Sequence, residues 1–312
     1  MPGGRAAATL GDGPGDRPVA WRSPSGNGGG TLGPVTVQDG HGAAGVELAY
    51  EVHPGRGPYA LFVHGILSTR STWLPNLAAL GEVCTPVVVE LWGHGRAATP
   101  SEPEPYAPDG YVAQFEALRI GLGVERWAVC GQSLGGALSL RYALTCPDVV
   151  TAVAFTNSSS ALGDAVWAEQ AEAFVAKEAD ALERAGRPRL DRSPFNPARS
   201  RRIAPDVRER LVVEWAEHDP VGIANTMRWT SRGTSVRARL GELVPPALLV
   251  HGTDEKAFRP LAAAAVAELP ALEVVAVPAG HAVNLHDPEG FNRAVVAFFQ
   301  RSVQRSADRP PG

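Results

Sequence analysis

The chain has 312 residues, a formal net charge of −4, and 44% hydrophobic against 20% charged side chains. That is enough apolar material for one large α/β domain with an insertion, or for two domains. The mild negative charge argues against nucleic acid or an anionic membrane as a partner, and no apolar run reaches the roughly 18 residues a bilayer span needs.

Met1 to Gly33 is rich in Gly, Pro, Arg and Asp and lacks the apolar core of a secretory signal, so 1–33 is expected to be a disordered leader. Cys84, Cys130 and Cys146 are odd in number and sit in or beside apolar runs without metal-ligand spacing. They read as buried free thiols in a reducing compartment, which points to the cytoplasm. No cofactor and no metal is expected, and the partner implied is a small-molecule substrate. Oligomeric state cannot be read from the sequence.

In chain order, Val35–Val37 and Val46–Val52 read as two antiparallel strands joined by a Gly-rich turn, and Tyr59–Val63 as a continuous apolar strand of the covered, parallel type. His64-Gly65-Ile66-Leu67 follows it, and the glycine lets the backbone turn an N–H toward the space above the sheet. Thr72–Leu80 looks helical. Pro86–Leu91 is the next strand, ending in the tight turn Trp92-Gly93-His94-Gly95-Arg96, where the histidine is expected to fix the loop by bonding backbone. Tyr111, Val112, Phe115, Leu118 and Leu122 give the helix 109–122 one apolar face.

Trp127–Cys130 is then a short buried strand and Ala137–Leu144 has helical spacing, with Gly131-Gln132-Ser133-Leu134-Gly135-Gly136 between them. A strand that becomes a helix within one residue strains that residue's backbone and demands small neighbours, which leaves Ser133 raised at a helix N-terminus as a candidate nucleophile. The N–H groups of Ile66 and Leu134 are the two expected oxyanion donors.

Val149–Phe155 continues the alternation of strand and helix, which argues for a parallel sheet covered on both faces. From Asn157 to about Leu243 the alternation stops. Leu162–Ala185, Pro205–His218 and Pro220–Arg228 read as helices and Asp191–Ser200 as a loop, together an inserted helical cap. Trp167, Phe174, Trp215, Met227 and Trp229 are its large apolar residues, serving either as glue to the core or as pocket lining. Strand Ala247–Val250, helix Pro260–Leu269, strand Leu272–Val277 and a last helix of roughly 288–300 complete the core. A frayed tail is expected after it.

His64-Gly65, Gly93-His94-Gly95, the Gly131–Gly136 run and Gly280-His281 occur in the order and spacing of the α/β-hydrolase superfamily, which the stretch Pro34–Ser302 resembles. The resemblance implies the α/β-hydrolase fold, a mostly parallel eight-stranded sheet with helices on both faces and an inserted helical cap. The core would comprise 34–156 and 244–303, the cap 157–243 and the tail 304–312.

A serine hydroxyl needs a base within hydrogen-bond reach, and His281 can supply it; the imidazolium then needs a carboxylate. Two candidates share one loop. Counting from Gly252, the superfamily's G-x-x-D spacing selects Glu255, whereas the Asp254-Glu255-Lys256 run matches relatives in which Asp254 is the acid. The commoner residue type and shorter arm favour Asp254, with Glu255 as the alternative acid.

Pro205–Arg210, Ala224–Arg228 and Asp254–Lys256 are also similar to the menaquinone-pathway 2-succinyl-6-hydroxy-2,4-cyclohexadiene-1-carboxylate synthases, which would make Arg228 a carboxylate-binding residue. The expected function is a serine hydrolase cleaving a small carboxylic ester, lactone or thioester through an acyl-serine. The alternatives are a carbon-carbon lyase of the menaquinone-synthase type and a non-catalytic ligand-binding member of the fold.

Overall fold

The computed structural model describes residues 36–38 and 47–307. The expected leader 1–33, the Gly-rich turn at 39–45 and the last residues of the tail lie outside them.

Eight strands form one sheet: β1 (Thr36–Gln38), β2 (Tyr50–Val52), β3 (Tyr59–Val63), β4 (Thr85–Val89), β5 (Trp127–Gly131), β6 (Val150–Thr156), β7 (Ala247–Gly252) and β8 (Glu273–Val277). Their spatial order is β1-β2-β4-β3-β5-β6-β7-β8. The two pairings of β2 are antiparallel and all the rest parallel. Period-two alternation sends Leu61, Val63, Val129, Val153, Phe155 and Leu249 to one face. Ala60, Phe62, Cys130, Ala154, Leu248 and Val250 go to the other. Because both faces are covered, β5 is buried at every residue and reads as an unbroken apolar run.

Helix α1 (Leu74–Leu80) packs on the second face together with the last helix. Helices α2 (Pro108–Gly121) and α3 (Leu134–Thr145) pack on the first. Between β6 and β7 come α4 (Ser159–Leu162), α5 (Ala165–Ala185), α6 (Arg187–Asp191), α7 (Pro205–Trp215) and α8 (Pro220–Asn225), with a π-helical turn at Thr226–Thr230. Helices α9 (Arg259–Glu268), α10 (Val283–His286) and α11 (Pro288–Ala307) complete the chain.

Among the boundaries that depart from expectation, two do so for clear local reasons. The Leu162–Ala185 helix breaks at Gly163, because Asp164 accepts the Trp167 N–H at 2.8 Å and starts α5 afresh. The final helix runs past residue 300 to Ala307, its later turns pinned by the Arg301–Glu273 ion pair at 2.6 Å and by Ser302 Oγ donating to Phe298 O. No described helix is long and apolar enough to cross a membrane.

The insertion is docked by charge and by backbone contact. The Arg70 guanidinium, 8% exposed, meets Glu90 Oε2 at 2.8 Å, Glu51 Oε1 at 2.9 Å and Glu214 Oε1 at 3.0 Å. Glu214 belongs to α7, and it also accepts from Thr69 Oγ1, Ser71 Oγ and Arg210 Nε. Beside this cluster Gly222 of α8 lies so close to Gly93 that a Cβ on either would approach the other's Cα to 2.4 Å.

Three fully buried imidazoles pack at steep angles from core to insertion: His64 to His94 at 5.1 Å between ring centroids, and His94 to His218 at 5.3 Å. Their bonding fixes them neutral. His64 Nδ1 donates to Gly65 O while Nε2 accepts the Leu91 N–H, and His94 Nδ1 donates to Trp92 O while Nε2 accepts the Leu67 N–H. His218 Nδ1 accepts the Gly95 N–H at 2.8 Å.

Burial holds His94 down to about 4, against an ordinary value of 6.5, and pushes His64 and His218 well below theirs as well. Once unfolded, these rings bind protons near their ordinary value, so between about pH 6.5 and 4 the unfolded chain holds more protons than the folded one. Stability is therefore expected to fall as pH drops through that window, His94 contributing on the order of 3 kcal/mol. Melting temperatures measured from pH 7 to 4.5 should decline steadily, and His94→Gln should lower the value at pH 7 but flatten the decline. An unchanged slope in that variant would refute the assignment.

Candidate active site

The sheet delivers three groups to its carboxyl edge. Between β5 and α3, Ser133 adopts φ 53°, ψ −117°, a conformation a residue with a side chain reaches only under constraint. The constraint is steric. A Cβ on Gly131 would sit 2.1 Å from Gly135 O, and one on Gly135 would sit 2.1 Å from Val63 O, so helix and strands meet at backbone distance only because both residues are glycine. The Ser133 N–H reaches Thr156 Oγ1 at 3.4 Å and its carbonyl accepts Ser158 Oγ at 2.6 Å.

His281, in the loop after β8, places Nε2 2.7 Å from Ser133 Oγ. Its Nδ1 lies 3.0 and 3.1 Å from the two carboxylate oxygens of Glu255, in the loop after β7. With Nδ1–H donating to the carboxylate, Nε2 is left as the acceptor of the serine proton. Burial alone would push the Glu255 carboxyl up; the His281 hydrogen bond and charge, with the Asn157 hydrogen bond, outweigh it and hold the group below the usual carboxylate range.

Asp254, the acid favoured by residue type and arm length, does not face His281. Its Oδ2 accepts Arg202 Nη2 at 2.9 Å, tying the insertion to the loop, and its side chain is half exposed. Neighbours along this turn project apart: the Asp254 N–H is fixed to Ala279 O, and Glu255 is drawn inward to Asn157. The longer glutamate arm covers the extra distance, and counting from Gly252 selects the carboxylate that meets His281.

Ile66 and Leu134 flank the serine. Gly65 packs so tightly on the nucleophile turn that a Cβ there would lie 3.0 Å from Ser133 Cβ, and the Gly65 N–H donates to Gln132 Oε1 at 2.9 Å. Leu67 is held at φ 58° by its bond to His94, the loop-fixing role expected of that histidine. Neither the Ile66 nor the Leu134 N–H has an acceptor among the described residues, and Leu134 heads α3, where the helix dipole favours negative charge.

Arg228 is not free to hold a substrate carboxylate. Asp180 at 2.5 Å and Glu183 at 2.7 Å occupy its guanidinium on the flank of the insertion. Trp215 is glue, buried among Ala179, Leu182, Leu190 and Ile223; Met227 and Ile66 both pack beside the same cluster. Phe174 is 64% exposed and Trp229 39%. Asn157, Arg202 and the Thr156 and Ser158 contacts escaped the sequence reading. One signal was available: a run of five polar residues, Thr156 to Ser160, closing a mostly apolar strand at the edge where α/β sheets bind ligands.

Residues 60–294 match the model of the alpha/beta hydrolase family. The chain belongs to that family and is an enzyme of hydrolase type. It is 24% identical over 278 residues to a putative 2-succinyl-6-hydroxy-2,4-cyclohexadiene-1-carboxylate synthase of Bacillus subtilis, covering 85% of this chain and 97% of the relative. It is 30% identical over 256 residues to the 2-(acetamidomethylene)succinate hydrolase of Mesorhizobium japonicum, covering 78% and 88%. Among solved structures, MenH from S. aureus superposes with a TM-score of 0.72 at 17% identity, covering 81% of this chain and 98% of that one.

The elbow makes a direct prediction. Gly135→Ala forces backbone apart at Val63 O and is expected to cost about 3 kcal/mol. Denaturant unfolding should show the loss, and a variant as stable as the parent would mean the turn can relax.

Proposed function

We propose that this enzyme is a serine hydrolase acting on a small carboxylic ester, lactone or thioester through an acyl-Ser133 intermediate. The observation that carries the reading is the unbroken hydrogen-bonded line from Ser133 Oγ through His281 to Glu255. His281 Nε2 takes the hydroxyl proton as Oγ attacks the acyl carbon, and the developing oxyanion is received by the Ile66 and Leu134 N–H groups. His281 then gives the proton to the leaving oxygen or sulfur. A water deprotonated by the same nitrogen attacks the acyl-serine, and the proton returns to Ser133 as the acid leaves. Glu255 keeps the imidazole in the required tautomer and stabilises its cation.

Cys84 and Cys130 take no part: both are buried, and burial pushes the Cys84 thiol up to about 12. Such shielded free thiols suit a reducing compartment, consistent with a cytoplasmic enzyme acting on a soluble metabolite. The similarity to the Bacillus subtilis synthase over nearly all of that protein's length supports a second reading, a lyase in which Ser133 and His281 remove a proton and no acyl group is held. The engagement of Arg228 by Asp180 and Glu183 weighs against it as the carboxylate anchor of this reading.

Covalency separates the two readings. Incubation with short p-nitrophenyl esters, acid quench and intact-mass measurement should show an acyl adduct lost in Ser133→Ala, and fluorophosphonate labelling should vanish with it. Turnover in Ser133→Ala is expected to fall by roughly 10⁴-fold or more. Glu255→Gln should lose about 10³ to 10⁴-fold in kcat, while Asp254→Asn stays within a few-fold, since its partner is an exposed arginine. The reverse ranking would return the acid role to Asp254, and turnover without an adduct would favour the lyase.

A further inference from the structure

We propose that Asn157 is a positioning residue for the acid: its side-chain amide holds the Glu255 carboxylate on His281. This rests on the serine-hydrolase reading above and adds a member to its machinery.

Asn157 follows the last residue of β6 and is fully buried. Its Oδ1 accepts the Gly252 N–H at 2.9 Å, and its Nδ2 donates both to Gly252 O at 2.9 Å and to Glu255 Oε2 at 2.8 Å. Since Oδ1 must face an N–H, the orientation of the amide is settled, and its two donors point at a backbone carbonyl and at the carboxylate. The first two bonds clamp the side chain to the end of β7. The third transmits that rigidity to Glu255, three residues along the loop.

A glutamate at this place needs such a clamp. It carries one more rotatable bond than aspartate, and each freely turning side-chain bond spreads the carboxylate over positions from which it cannot orient His281. Glu255 Oε2 faces both His281 Nδ1 and Asn157 Nδ2, so the amide fixes one of the two oxygens that share the imidazole N–H. Thr156 and Ser158, on either side of Asn157, bond the N–H and carbonyl of Ser133. One tripeptide therefore holds the nucleophile's backbone and the acid's side chain at a fixed separation, leaving His281 to bridge them.

The competing role is a plain staple between β6 and β7, using only the two Gly252 bonds. Asn157→Ala and Asn157→Asp separate the two when kcat, KM, the pH profile of kcat/KM and the melting temperature are measured together on p-nitrophenyl esters. If Asn157 positions the acid, Asn157→Ala loses 10- to 100-fold in kcat with KM within twofold. Asn157→Asp sets a carboxylate against Glu255. Either both ionise and the extra charge favours the imidazolium, or the pair retains a proton that must leave before the acid can act. Both routes move the acid limb of kcat/KM to higher pH, by about one unit. Lowered melting temperatures with parental kcat and an unmoved acid limb would overturn the proposal.

Should either variant fail to fold, the other decides. If the parent enzyme neither labels with fluorophosphonate nor hydrolyses esters, the hydrolase reading fails separately. The low-field proton resonance of His281 Nδ1–H, identified by its loss in His281→Gln, then still tests the positioning. It is expected to move upfield in Asn157→Ala, and an unmoved resonance would refute the proposal.

Discussion

A backbone of unusual shape at Ser133 sets the terms for everything around it. Holding a serine at φ 53° costs free energy on the order of 1–3 kcal/mol, and such a conformation persists only when its surroundings over-determine it. Here they do so by closeness: α3 approaches β5 and β3 until carbonyl oxygens occupy the space a methyl group would need at Gly131 and Gly135. The helix that results is buried at ten of its twelve positions, so it cannot tilt to relieve the strain. The serine is lifted clear of the sheet because nothing else in the turn can move.

The two groups that complete the site depend on the same edge of the sheet. Parallel strands β6, β7 and β8 end in register beside β5, and the loops leaving β7 and β8 bring Glu255 and His281 over the elbow. The insertion grips this edge at separate points: Arg202 on Asp254 beside Glu255, the apolar cluster of the insertion on which both Met227 and Ile66 pack, and His218 on the Gly93–Gly95 turn that holds Leu67. The Gly65–Leu67 loop is thus braced from below by His94 and from above by the insertion.

The strands of the core and the serine elbow were legible because their signals are local. An apolar run of four or five residues bounded by turn formers fixes each strand, and the glycine spacing around Ser133 reports a backbone demand that few sequences meet by chance. The acid was legible only as a pair. Asp254 and Glu255 differ in which way a turn points them, and that is decided by Arg202 and Asn157, 52 and 98 residues away from them in the chain. The partners of Arg228 were hidden for the same reason, since Asp180 and Glu183 lie on a different helix. The ionic cluster of Arg70, Glu51, Glu90 and Glu214 left no trace that periodicity could find, because its members come from four separate elements.

That cluster constrains how the insertion can be exchanged. In a chimera that keeps this core and takes a foreign lid, Arg70 would remain buried beside Glu90 and Glu51, both of which Arg96 also meets, with its Nη2 aimed at a third carboxylate arriving from outside. A graft lacking an acid at the place of Glu214 strands Thr69, Ser71 and part of the guanidinium without partners, and one lacking a glycine at the place of Gly222 cannot seat against Gly93. The interchangeable unit is therefore the lid together with its socket, and swapping one without the other transplants a surface that the recipient has no charge to meet.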